Sequence, residues 1–517
     1  MTAAIYRFFS YLCRMKAVVG IVRECIARLR EVPLVVATTI FMAGILFFDR
    51  FEAGAPLLWT LFAAALVFAF AAMRSHESAA VAALCAAFFL LGGVAWNIRD
   101  LRSGNGDIPV DVPLLVDLEV LDVPAERSGG RTFVPVRIAG YDDGSVRRTT
   151  KSKAMMWSDS TLRLAFGDRV TAFVPVRRFR DLRSGYARQM DRRGFAGTLF
   201  VTASDTVSVE RGAGGRTLHR LAVERFARLE LEPQVAAVAG SMGAGDRNRM
   251  TPELREAYAL SGVSHILAVS GLHIGIVFLL ATLLLRPLAI LRHGQIIADV
   301  AVLVPVWLYA AAAGFPPSVL RAAVMFGVLQ LSRACTASRS SLSSLAFAAF
   351  AMTLFEPETI FDAGFQLSFV AVAAIVTLGQ PLYDLTARRR PWVRLLCDTM
   401  VTGVIAFLAT APLNMHLFGR ISMAGIIVNT FVIMCAYVVV AVSVLWIMVP
   451  AGFLQPAVEW ILNFTVGLQN RVVGTTASWR SLVVDAELSE GAVIAVYAVL
   501  ALAVVVLSVN GKRRIAG

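Results

Sequence analysis

The sequence predicts a polytopic α-helical membrane protein of about twelve spans with a small all-β, OB-like extracytoplasmic domain inserted after the third span. Three observations predict it. The 517 residues are 57% hydrophobic, too apolar for a soluble protein of this length. Many apolar runs approach the ~20 residues that a helix needs to cross the hydrocarbon. One segment, 105–215, changes from helical to alternating periodicity.

The elements follow in chain order. Six cations (Arg7, Arg14, Lys16, Arg23, Arg28, Arg30) precede the first apolar run, which is long and lacks a small-residue cleavage site, so an uncleaved cytoplasmic start is expected. Runs at 33–49, 54–73 and 78–96 give three spans, and residues 1–104 form the first unit. In 105–215, Leu114, Val116, Leu118 and Val120 alternate with Asp117 and Glu119; Val134, Val136 and Ile138 alternate with Pro135 and Arg137. Val170, Ala172, Val174 and Val176 repeat the pattern, with weaker candidates at 152–158 and 197–209, so about five strands are expected to form a small barrel.

One end of that domain is strongly basic. Between Arg147 and Arg193 stand thirteen Lys or Arg against four Asp, interleaved with Phe173, Phe179, Tyr186 and Phe195. Arg177, Arg178, Arg180, Arg183 and Arg188 with such aromatics match the cation-and-stacking pattern of a single-strand groove. The same pattern also fits a solvated face beside anionic lipid.

Residues 216–258 read as an amphipathic connector, with Leu218, Leu221, Phe226 and Leu229 at helical spacing and Thr251-Pro252 opening a further helix. Residues 259–517 hold nine further apolar runs, at 264–290, 296–313, 317–332, 341–356, 362–380, 395–411, 421–447, 453–475 and 490–509. Alternation from a cytoplasmic start then puts Arg286/Arg292, Arg333/Arg339, Arg388–Arg390 with Arg394, and Lys512–Arg514 all inside, as the positive-inside rule requires. Both termini are cytoplasmic on this reading.

Polar groups inside such runs are expensive in lipid and mark candidate functional positions. Ser264-His-Ile-Leu-Ala-Val-Ser-Gly-Leu-His273 carries two serines and two histidines. If it is helical, Ser264, Ala268, Gly271 and Gly275 form a packing stripe, while His265 and His273 stand about 80° and roughly 12 Å apart, too far to share a metal ion. Arg321, Asp362, Gln366 and Asn429 fall at similar depth, and Arg321 with Asp362 is the expected ion pair. Together with His265, Ser270 and His273 they are the candidates for lining an outward-opening passage. Gly314-Phe315-Pro316-Pro317 and Phe418-Gly419-Arg420 read as breaks at span ends.

The ordered blocks GDR…TPELREAYALSGVSHILAVSGLHIGIV, GFPPSVLRAAVM, FDAGFQLSF and PLNMHLFGRISMAGIIVN resemble the ComEC family of competence proteins. The resemblance implies an inner-membrane channel that passes one strand of DNA to the cytoplasm during natural transformation. It also implies a separate DNA receptor, nuclease and motor as partners beside single-stranded DNA and membrane lipid. Relatives often carry a zinc nuclease domain with an HxHxDH motif. The six histidines (76, 219, 265, 273, 293, 416) contain no such cluster, so no catalytic residue, metal or cofactor is expected within these 517 residues. A proline that relatives often have after the block's asparagine is missing behind Asn429. No P-loop occurs, so the driving force comes from the proton gradient or a partner. Two rival readings remain: a secondary transporter of a small anionic solute, and an intramembrane hydrolase using Ser270 with a histidine.

Overall fold

The computed structural model describes residues 33–500, except 52–53, 74–76, 104–107, 122–124, 128–130, 180–189, 191–193, 212–217, 291–293, 335–340 and a few shorter breaks. The basic N-terminus, Tyr186, the Lys512–Arg514 cluster and the end of the last expected span lie outside the described residues.

Three helices open the chain: α1 (Pro33–Arg50), α2 (Ala55–Ala72) and α3 (Glu77–Ser103). α1 and α3 approach closely because glycines face each other. A side-chain carbon on Gly44 would lie 2.1 Å from the Phe89 carbonyl oxygen, and one on Gly92 would lie 2.3 Å from that of Phe41. Phe41 and Ile45 are buried beside that contact.

The inserted segment folds as a curled sheet. Its strands are β1 (Pro113–Val120), β2 (Ala125–Arg127), β3 (Arg131–Asp142), β4 (Arg147–Thr149), β5 (Lys153–Asp159), β6 (Arg169–Pro175), β7 (Phe195–Val201) and β8 (Thr206–Glu210). The order is β7-β5-β3-β1-β6-β8, antiparallel except for the β5/β7 pair. Just past β6, Arg177 and Thr198 exchange backbone hydrogen bonds of 2.8 and 2.7 Å, so the β6 end of the sheet meets β7 again. The alternation read from sequence explains the closure: Val116, Val134, Val136, Ile138, Met156, Val170, Ala172 and Val201 point inward and are buried, and their neighbours in sequence point out.

Next come α4 (Leu218–Ala227), α5 (Pro233–Ala244), α6 (Pro252–Leu260), α7 (Gly271–Leu285), α8 (Gly294–Ala301), α9 (Leu303–Ala312), α10 (Pro317–Ala334), α11 (Ser341–Phe355), α12 (Ala363–Thr386) and α13 (Pro391–Phe418). The chain continues with α14 (Ala424–Met448), α15 (Gln455–Ala477) and α16, which covers Glu490–Leu500. Two three-residue strands, β9 (Arg420–Ser422) and β10 (Val483–Asp485), pair antiparallel at the end of the bundle.

Among the described residues, eight helical stretches are long and apolar enough to cross a membrane: α1, α2, α3, α7, the α8/α9 pair, α12, α13 and α14. α10, α11 and α16 are apolar but shorter. The expected run at 453–475 is helical but is not among these eight, because Glu459, Asn463, Gln469, Asn470 and Arg471 interrupt its apolar residues. Glu459 accepts the Glu230 N–H at 2.8 Å and Asn463 that of Glu232 at 3.2 Å.

Residues 216–258 are not one amphipathic helix. α4 is amphipathic, whereas α5 is buried from Ala237 to Ala244 against α14 and α15, since it is built almost entirely of small apolar residues. Arg225 anchors α4 by donating to the carbonyls of Ile447 and Val449 at the C-terminus of α14, while the Trp446 indole donates back to the Arg225 carbonyl at 3.1 Å. α14 runs unbroken from Ala424 to Met448, as the missing proline behind Asn429 allows.

Gly92→Leu is expected to separate α1 from α3 and to cost about 1–3 kcal/mol of stability through overpacking. Gly467→Leu, at a position with no atom within 4 Å, is the control. Thermal unfolding in detergent that lowers both midpoints equally would contradict the packing.

Candidate functional site

The decapeptide Ser264–His273 is not one helix. α6 ends at Ser261, Gly262 adopts φ +77°, Ser264–Ile266 form a single 3₁₀ turn, and the chain stays non-helical until Gly271. The expected stripe of Ser264, Ala268, Gly271 and Gly275 and the wheel separation of the two histidines are therefore corrected. Gly262 supplies the positive φ and lets Gly425 at the start of α14 press against its backbone.

A non-helical backbone within an apolar bundle must find partners for its carbonyls. Three hydroxyls from three elements do this. Ser241 of α5 donates to the Leu267 carbonyl, Ser318 of α10 to that of Val269, and Ser422 of β9 to that of Leu260, each at 2.5 Å. Below them Gln469 donates to the Tyr258 hydroxyl at 2.9 Å, which donates to Asn470 Oδ1 at 2.7 Å. None of these partners was singled out from sequence, because a lone serine in a helix carries no signal of what it bonds.

Ser270 caps α7 together with His273. The Ser270 N–H donates to His273 Nδ1 at 3.0 Å, and the Ser270 hydroxyl lies 2.9 Å from the same nitrogen. A backbone N–H can only donate, so Nδ1 is the acceptor and the neutral ring carries its proton on Nε2. That Nε2 is buried and has no hydrogen-bond partner among the described residues.

His265 differs. Its side chain is exposed on the single 3₁₀ turn before α7. The Asn429 side chain of α14 faces it, beside Gly403 of α13, and His273 is near enough to feel a charge on it.

A second polar group lies one helix away. Arg321 of α10 is buried, and its Nη1 stands 3.9 Å from Asp362 Oδ1, the pair expected from sequence. Asp362 also caps α12 by accepting the Phe365 N–H at 3.0 Å. Gly364 leaves room for the guanidinium, since a side-chain carbon there would stand 3.0 Å from Nη2. Arg321 Nε and Nη1 have no hydrogen-bond partner among the described residues. Gln366 instead donates to the Ile360 carbonyl at 3.0 Å and braces the turn before α12. The starts of α7, α10 and α12 thus meet at one end of the bundle, through Ser318 with Val269 and Arg321 with Asp362.

On the sheet, Arg177 and Arg178 are exposed, and Arg177 lies opposite Thr198. Arg180, Arg183 and Arg188 lie outside the described residues. A feature missed in sequence is a row of outward aromatics on adjacent strands: Phe133 of β3 stands 4.7 Å from Trp157 of β5, which registers with Phe200 of β7. Arg131 lies over the Phe200 ring at 5.4 Å. Strand alternation gave their outward direction, but their adjacency required the parallel β5/β7 pair.

The family model "Competence protein" matches residues 242–510, more than half of the chain. The chain belongs to the competence protein family. Among curated relatives, ComE operon protein 3 of Bacillus subtilis (strain 168) is 27% identical over 256 residues, 49% of this chain and 32% of that protein. An uncharacterized protein of Aquifex aeolicus (strain VF5) is 29% identical over 206 residues, 40% of this chain and 46% of that protein. The matches therefore span less than half the length of these relatives. No solved structure matches. The competence family match contains the 261–273 segment, Arg321, Asp362 and Asn429, and leaves out the β domain.

Arg321→Gln is expected to destabilise the bundle, because it leaves Asp362 without its cation in an apolar setting. The double variant Arg321→Gln/Asp362→Asn should recover part of the loss. Equal unfolding midpoints for all three proteins would show that the pair is not coupled.

Proposed function

We propose that this chain is a conduit for single-stranded DNA, resident in the bacterial inner membrane and passing the strand to the cytoplasm during natural transformation. The observation that carries this reading is the exposed His265 on the non-helical turn before α7, with the Asn429 amide facing it. A polyanion crossing lipid needs donors spread along a hydrated path without a tight site, since strong binding would halt transit. His265, Ser270, His273, Arg321, Asp362, Gln366 and Asn429 are the residues we assign to that path, and the unused donors on His273 and Arg321 support the assignment.

The β domain is in this proposal an OB-like barrel on the outer side. A curled sheet whose strand path returns through Arg177 and Thr198 supports that reading. Arg177, Arg178, Arg180, Arg183 and Arg188 attract phosphates, and the Phe133, Trp157, Phe200 row offers stacking surfaces for bases. Twelve spans, with both termini cytoplasmic, complete the topology by counting the shorter helices and α15. A receptor, a nuclease and a motor act as separate partners.

The hydrolase reading has one observation in its favour, the 2.9 Å contact of Ser270 Oγ with His273 Nδ1. That nitrogen already accepts from the Ser270 backbone, and no group among the described residues orients Nε2. A base so engaged is poorly placed to activate a nucleophile, so we propose a conduit rather than an enzyme.

Uptake of labelled single-stranded DNA into cells separates the readings. Loss of the protein should abolish entry, and Arg177→Ala/Arg178→Ala should lower it at low salt and leave it less sensitive to rising salt than the wild type. Entry that persists without the protein would overturn the conduit. A chemical activity lost in Ser270→Ala with entry intact would favour the hydrolase, and uptake of a small anion alone would favour a solute transporter.

A further inference from the structure

A cavity of about 500 Å³ lies between α2, α3, the end of α11 with the turn to α12, and the β domain, apart from the polar path above. Its walls have two characters. Trp59 of α2, Val94 of α3, and Leu354 and Phe355 of α11 give an apolar floor at the ends of membrane helices, with Phe355 73% exposed. Arg99 of α3, Lys153 of β5, Glu356 and Glu358 give a polar roof carrying both signs of charge.

Glu358 decides what fits. Its Oε2 is buried without a hydrogen-bond partner among the described residues. Burial raises the carboxyl's pKa above its ordinary value, and its own backbone N–H, then Arg99 and Lys153, offset this only in part. An ionised Glu358 therefore needs at Oε2 a donor that the described residues do not supply. A single anion would meet two carboxylates, and a single cation two basic groups; a zwitterion with an apolar tail meets neither conflict.

We propose that this cavity is a lipid site that selects a phosphatidylethanolamine. The acyl chains lie on the floor, the phosphate lies toward Lys153 and Arg99, and the primary ammonium donates to Glu358. A choline headgroup carries no N–H and leaves Oε2 unpaired, so the site distinguishes the two zwitterionic lipids. A lipid bound there joins the β domain to the helix ends, because Lys153 of β5 and Gly194, in the turn before β7, belong to that domain and the floor to the bundle.

The test is native mass spectrometry of the full-length protein with added phosphatidylethanolamine, phosphatidylcholine or phosphatidylglycerol, with unfolding midpoints recorded for every variant. One phosphatidylethanolamine should be retained about tenfold more strongly than phosphatidylcholine, the scale of one charge-assisted hydrogen bond. Glu358→Gln should abolish that preference, and Lys153→Gln should weaken retention of both lipids, while Lys153→Arg restores it. Equal retention of the two zwitterionic lipids by the wild type would overturn the proposal. So would a preference unchanged in a folded Glu358→Gln, stronger retention of phosphatidylglycerol, or phosphoethanolamine without acyl chains binding as well as the lipid.

Discussion

A backbone carbonyl in a membrane interior must be bonded by the protein itself, and the turn between α6 and α7 meets that demand without a helix. Its carbonyls at Leu260, Leu267 and Val269 are each taken by a serine from a different part of the chain. Those three bonds tie α5, α10 and β9 to one segment. They fix the start of α7 against the start of α10, and α10 in turn carries Arg321 to Asp362 at the start of α12. The relative placement of the polar residues follows from how one irregular turn is satisfied.

The same turn separates two histidines that a helix would have spaced evenly. His273 is drawn into a cap with Ser270 and buried, while His265 is left exposed beside Asn429. A continuous helix would satisfy every carbonyl internally and would not set the two side chains apart in this way. Irregularity therefore creates both the cost, offset by serines, and the unused polar groups on which a functional path depends. The Arg321–Asp362 pair is looser than a close ion pair, at 3.9 Å, and Asp362 is shared with the cap of α12. A buried charge held in this way costs the protein stability that apolar residues would not.

Much of the architecture was legible because periodicity reports burial. Val116, Val134 and Val170 alternate and are buried in the sheet, and the runs from α12 to α14 announce themselves by length. The Arg321–Asp362 pair was legible because lipid leaves an arginine few alternatives. The Ser264–His273 turn was misread because its composition is helical; only Gly262 in the left-handed region and the distant serines make the turn stable. The role of the polar residues of α15 was not legible: Glu459 and Asn463 only interrupt an apolar run, and the fold alone shows them accepting the backbone N–H groups of Glu230 and Glu232 just before α5. The aromatic row of Phe133, Trp157 and Phe200 depends on strand pairing across 67 residues of chain, which no local pattern reports.

The central claim is that the turn before α7 leaves His265 open to solvent while it buries His273. Reaction of His265→Cys with a charged, membrane-impermeant thiol reagent, in a background without the native cysteines, tests it most directly. The account predicts rapid labelling at His265→Cys, slow labelling at the buried His273→Cys, and none at Leu284→Cys on the exposed apolar face of α7. A His265→Cys protein that folds normally yet labels no faster than Leu284→Cys would contradict it.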